Sequence, residues 1–218
     1  MTRLLAVLTC SALLAATAAA QEKKGGKKGR YGEVSFSDSC ERFLCKVEEP
    51  SGSIRKQDLE AMFNESCTLL LKAFAYMDEG GGFAYDKMPG SLRLWLMEMD
   101  PKNNPNNASQ NKVRFKDILL GALTKCKKGI AFKCNSCDET STSFKIPGNS
   151  TTIPIINPDV RLCPGLCKRS KDTVKINLIH EITHFGGADD DDKVACMMPD
   201  RFEGMIPQLA AEYDKMNK

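Results

Sequence analysis

The sequence predicts an α+β domain, rich in helix, with a small β-region ahead of a metal-binding helix. Three observations carry this. Apolar residues recur at helical spacing in several stretches, and residues 129–156 change to short β-like pieces separated by polar turns. Both histidines of the 218-residue chain stand in one five-residue motif, His180-Glu181-Ile182-Thr183-His184, an HExxH. Helices, then short strands, then the motif helix make an α+β order.

Residues 1–20 read as a secretory signal. Arg3 is the positive start, residues 4–16 the apolar core, and Ala18-Ala19-Ala20 a small-residue cleavage site. That run is too short to span a bilayer, and no later one is longer, so no membrane span is expected. The expected product is secreted and extracellular. Residues 21–30, QEKKGGKKGR, hold no apolar side chain and read as a disordered Lys/Gly-rich tail. Residues 31–218 are expected to form a single domain.

Charge argues against a nucleic-acid partner. The formal net charge of +3 comes from 31 basic and 28 acidic residues. Removing the six basic residues and one acid of positions 1–30 leaves 25 basic and 27 acidic residues, a net charge of −2. The basicity belongs to the tail.

Beyond Cys10 in the signal there are nine cysteines, a density that reads as disulfides in a secreted chain, with one left over. Cys134-x-x-Cys137 has zinc-knuckle spacing, but Cys163 and Cys167 do not match it, which favours disulfides. Sequons at Asn64, Asn107 and Asn149 suit surface loops of a glycoprotein.

Leu59, Met62, Phe63, Leu70, Ala73, Phe74 and Met77 predict a helix over 57–78, closed by Gly80-Gly81-Gly82. A shorter helix is expected around 92–99, where Trp95 reads as packing, and a polar loop over 100–111. Phe115, Ile118, Leu119, Ala122, Leu123 and Cys126 mark the next helix, and IAFKC, TSFKI and TTIPII the β-pieces. The motif helix is expected over about 172–185, capped by Asp172 or Thr173 and ended by Gly186-Gly187. Met205, Ile206, Leu209, Ala210 and Tyr213 suggest a closing helix.

On a helix, residues i and i+4 share a face, so His180 and His184 can turn two imidazoles towards one ion. Glu181 stands beside them, placed to take a proton from a water. With no other histidine, the third ligand must be a carboxylate or a cysteine. Asp189, Asp190, Asp191 and Asp192 follow the motif. In a metzincin-type HExxHxxGxxH frame, Gly187 takes the glycine position and Asp190 the third-ligand position, with Met197-Met198 at a methionine-turn distance. A gluzincin arrangement would instead use Glu203, although Gly204 and Pro207 disfavour a helix there. An acidic run also suits calcium, or plain solvation.

Residues 126–192 resemble the deuterolysin-like aspzincins, which include the peptidyl-Lys metalloendopeptidases. The matching segments are Cys134 and Cys137, TTIPII, Arg161-Leu162-Cys163, NLIHEITHF, and Gly187-Ala188-Asp189-Asp190 against the family's GTxD. The resemblance implies a zincin-like metallopeptidase domain with Zn²⁺ held by His180, His184 and Asp190. Glu181 would be the catalytic base, and protein or peptide chains the substrates of a secreted zinc endopeptidase. The chain departs from the family in three ways. Ala188 replaces a threonine, the loop after His184 is shorter, and the Tyr-Gly after the aspartate is missing. Tyr213, the one tyrosine after the motif, is then the candidate for the family's oxyanion-stabilising tyrosine. These departures leave an alternative: a secreted, disulfide-bonded binding protein with a structural or vestigial zinc site.

Overall fold

A computed structural model describes residues 31–40, 54–79, 88–134, 144–145, 160–163, 166–167 and 169–218. The expected signal and tail, the piece TTIPII and the sequon at Asn149 lie outside these residues.

Among the described residues five helices dominate: α1 (Lys56–Glu79), α2 (Gly90–Trp95), α3 (Ala108–Lys128), α4 (Lys171–His184) and α5 (Pro199–Met216). The strands β1 (Val34–Phe36), β2 (Ile130–Cys134), β3 (Phe144–Lys145) and β4 (Val160–Leu162) form one sheet in the order β1-β2-β4-β3. β1, β2 and β4 run parallel, with Val34 opposite Ile130 and Phe132 opposite Val160. β3 lies antiparallel at the edge, Phe144 opposite Leu162. IAFKC and part of TSFKI are strands as expected. β1 and β4, three residues each, are too short for an alternating pattern to show.

α1 buries Leu59, Met62, Phe63, Leu70, Ala73, Phe74 and Met77, the stripe that predicted it. Its start is tied back by Asp58, whose carboxylate accepts the Arg55 backbone N–H at 2.8 Å. α3 starts at Ala108, inside the expected polar loop. Its first turn is polar because most of it faces solvent, while Ala108 and Asn111 are buried. The Asn111 amide donates to the Glu98 carbonyl at 2.9 Å, an anchor that hydrophobic periodicity cannot register.

α4 packs against α1, α3 and α5. Val174, Leu178, Ile179 and Ile182 are fully buried, each contributing about 1.5–3 kcal/mol. Its cap is Ser170 rather than Asp172 or Thr173: the Ser170 hydroxyl accepts the Thr173 N–H at 3.1 Å. Asp172 is exposed and pairs with Lys175 at 3.2 Å.

α5 begins at Pro199, six residues before the expected stretch, and runs unbroken through Gly204 and Pro207. Proline at the first helical position forfeits only a donor that has no partner there. Gly204 faces the Trp95 ring, and a Cβ there would stand 3.2 Å from it. The Arg201 guanidinium lies over the same ring at 5.0 Å, so Trp95 packs against the first turns of α5.

Disulfides join Cys67 of α1 to Cys126 of α3, and Cys40 to Cys134 at the end of β2. Cys134 is therefore not a zinc ligand. Cys163 and Cys167 are also disulfide-bonded. Cys196 is the free cysteine among the described residues, and it is buried. Asn64 lies in the middle of α1 rather than in a loop, whereas Asn107 is exposed ahead of α3. No helix among the described residues is long and apolar enough to cross a membrane.

Candidate metal centre

The HExxH occupies the last turn of α4. His180 and His184 sit half-buried at its rim, ring centroids 4.9 Å apart, while the Glu181 and Thr183 side chains between them are buried. The helix then stops abruptly. Gly187 has a φ of 97°, the left-handed conformation that side chains resist, and the Ala188 N–H turns back to the Thr183 carbonyl at 3.2 Å. Gly186 lies so close to α3 that a Cβ would meet the Ile118 carbonyl oxygen at 2.0 Å. These two glycines bring the acidic loop back over the histidines.

The turn separates the four aspartates. Asp190 Oδ1 lies 3.5 Å from His180 Nε2 and 3.6 Å from His184 Nε2. Asp192 instead takes both guanidinium nitrogens of Arg114 and accepts the Val194 N–H at 2.9 Å. Asp189 accepts the Asp191 N–H at 3.2 Å, and Asp191 is exposed. Asp190 alone of the four reaches both histidines.

The histidines' other nitrogens have partners too. His184 Nδ1 is 3.0 Å from the Ala188 carbonyl. His180 Nδ1 is flanked by Asp200 Oδ1 at 3.0 Å and Glu203 Oε1 at 3.2 Å, and the Asn177 amide donates to the same Glu203 oxygen at 3.1 Å. Glu203 thus reaches the site, but on the Nδ1 side of His180. It carries that carboxylate from inside α5, so Gly204 and Pro207 did not exclude a helix there.

Among the described residues, two groups of side chains could therefore hold an ion: His180, His184 and Asp190, or His180, Asp200 and Glu203. Distances separate them. Ligand bonds of 2.0–2.2 Å in a tetrahedral zinc site put ligand atoms about 3.4 Å apart. The spacings to Asp190 fit that, and they exceed a good N–H···O hydrogen bond. The spacings from His180 Nδ1 to Asp200 and Glu203 are hydrogen-bond lengths. Two neutral imidazoles and one carboxylate also suit zinc chemically, with one position left open.

Electrostatics follow burial and neighbours. Burial pushes the Glu181 carboxyl up to about 7; Asp190 and Glu203 add to the rise and His180 opposes it. Burial lowers His184, outweighing the Ala188 carbonyl. Burial alone would lower His180, but the hydrogen bond to Glu203 and the charges of Glu181, Glu203 and Asp190 raise it. Glu203 is lowered: burial raises it, and the hydrogen bonds from His180 and Asn177 prevail.

Tyr213 is not brought to this centre. It lies ten residues beyond Glu203 on α5, about 15 Å along the axis at 1.5 Å per residue. Met197 is fully buried in the 3-10 turn Ala195–Met197, and the Glu98 carboxylate accepts the Ala195 and Cys196 N–H groups at 3.1 and 2.9 Å. Asp200, Asn177, Arg114 and Glu98 were not foreseen from the sequence. Only Asn177 left a trace there, one helical turn before His180. Comparison of the chain with protein-family models, with curated proteins and with solved structures finds no match in any of the three.

Proposed function

We propose that this chain is a secreted zinc-dependent endopeptidase of zincin-like fold, with His180, His184 and Asp190 as metal ligands and Glu181 as the catalytic base. The observation that carries the reading is that one Asp190 oxygen lies 3.5 and 3.6 Å from the Nε2 atoms of His180 and His184, near tetrahedral ligand spacing, beside a buried carboxyl. When bound, zinc supplies the Lewis acidity that acidifies a water and polarises a carbonyl. Glu181, buried beside the two histidines, is placed to accept a proton and return it. Partners on their other ring nitrogens orient His180 and His184 so that both Nε2 atoms face Asp190. Asp190 is half exposed, so the centre opens to solvent, as a site that admits a chain must. Secretion is supported by the signal-like residues 1–20 and by the disulfides.

One observation favours a second reading. Tyr213 lies too far along α5 to stabilise an oxyanion, which suits a binding protein with a structural or vestigial zinc site. The mature protein and its Glu181→Gln variant separate the two by metal content and casein cleavage. An endopeptidase binds one zinc in both forms and loses turnover in the variant. Zinc without cleavage in either form favours the second reading. Calcium without zinc overturns both.

A further inference from the structure

His184 is steadied by the backbone, through the Ala188 carbonyl, and no substitution can remove that acceptor. His180 has no such support. Among the described residues its Nδ1 faces the side chains of Asp200 and Glu203, both carried by the first two turns of α5. These two carboxylates are not equivalent. The Asp200 side chain is 74% exposed and the Glu203 side chain 24%. Glu203 is also anchored: its Oε1 takes the Asn177 amide at 3.1 Å, and Asn177 stands one turn before His180 on α4. Trp95 packs against Gly204 next to it, holding that turn in place.

We propose that Glu203, held by Asn177, is a positioning residue for His180. Its carboxylate accepts a hydrogen bond from the Nδ1–H, so the Nε2 lone pair faces His184 and Asp190. The inference rests on the zinc reading of that centre. An imidazole with a proton on Nδ1 has its lone pair on Nε2, and a fixed acceptor sets both the tautomer and the ring plane. Glu203 thus acts through His180 without touching the ion. The rival arrangement, a second ion among His180 Nδ1, Asp200 and Glu203, requires one ring to ligate through both nitrogens. That means losing both ring protons, and the 3.0 and 3.2 Å spacings already match a shared N–H.

The test uses mature wild-type protein with the variants Glu203→Ala, Glu203→Gln, Asn177→Ala, Asp200→Ala and the Asn177→Ala/Glu203→Ala double. Long-range ¹H–¹⁵N spectra of the zinc-free proteins read the His180 tautomer, and chelator competition reads zinc affinity and stoichiometry. Glu203→Ala is expected to mix the tautomers and weaken zinc binding about 10- to 100-fold. Glu203→Gln keeps an acceptor oxygen and the Nδ1–H tautomer, which separates positioning from a failure to fold. Asn177→Ala weakens binding less, and the double variant no more than Glu203→Ala alone. Asp200→Ala stays within about threefold, since an exposed carboxylate is solvated in either case. An unchanged tautomer and affinity in Glu203→Ala, with zinc bound by wild type, overturns the inference and leaves the zinc reading standing. A second zinc equivalent lost in Glu203→Ala overturns it in favour of the rival. A wild-type protein that binds no zinc, with the Nδ1–H tautomer present, overturns the zinc reading and with it the metal-positioning role.

Discussion

Glu181 is a carboxyl held in an environment far from water. Its carboxyl is pushed from an ordinary 4.5 to about 7, so in the metal-free protein the fold holds its proton more tightly than the unfolded chain does. The sign follows. Between those two values the native state binds more protons, and stability falls as pH rises. Glu181→Gln removes that loss. The zinc-free variant is expected to exceed zinc-free wild type by about 3 kcal/mol at pH 8 and to match it below pH 4. Urea titrations at the two pH values check this, and equal stabilities at pH 8 would refute it. Cys196 offers a second test. Burial, then the neighbouring Glu98 carboxylate, push its thiol well above the usual range, leaving almost no thiolate. Iodoacetamide is expected to leave it unmodified in the native protein and to label it after unfolding; rapid labelling of folded protein would contradict that. At this scale His180, Glu181 and His184 were legible, because helix periodicity alone sets them on adjacent faces. The raised carboxyl was not, since it depends on what α4 packs against.

Among the elements, the end of α4 decides whether a centre forms, and its two glycines serve different purposes. Gly187 needs only its dihedral, with nothing within 4 Å of a Cβ built there. Gly187→Ala is therefore expected to cost about 1–2 kcal/mol, the penalty of a left-handed residue. Gly186 needs its missing side chain. A Cβ would overlap the Ile118 carbonyl oxygen of α3 at 2.0 Å, and backbone cannot move aside cheaply. Gly186→Ala is expected to cost more than about 3 kcal/mol and to weaken zinc binding, because the Asp190 loop is displaced with α3. Denaturant midpoints and chelator competition on both variants check the ranking, and the reverse order would refute it. The sequence marked Gly186-Gly187 as a helix stop. It could not say that one glycine answers to α3. The same limit hid the start of α5, where Gly204 and Pro207 read as helix breakers. Gly204 makes room for the Trp95 ring, a contact between elements far apart in the chain.

Across the whole molecule, buried residues from Cys40 to Leu209 form one cluster, stapled by disulfides. Cys67–Cys126 closes a separation of 59 residues and ties α1 to α3, the helix against which Gly186 packs. Replacing both cysteines with alanine is expected to cost about 4 kcal/mol, the loop-closure value for that length. Thermal unfolding under non-reducing conditions reads it, and an unchanged midpoint would show the staple to be dispensable. The sequence by itself determined the long helices, the inner strand β2, the disulfide habit and the pairing of two histidines with a glutamate. Those follow from periodicity and composition, which are local properties of the chain. Spacing after the motif also singled out Asp190 among the four aspartates; only the tertiary structure decided what turns it towards the histidines and what Glu203 touches. The Arg114 guanidinium holds Asp192 away from the site, leaving Asp190 to turn inwards, and α5 delivers Glu203 to the far nitrogen of His180. The Arg114–Asp192 and Glu203–His180 contacts join residues distant in sequence, and no spacing within a single segment encodes them.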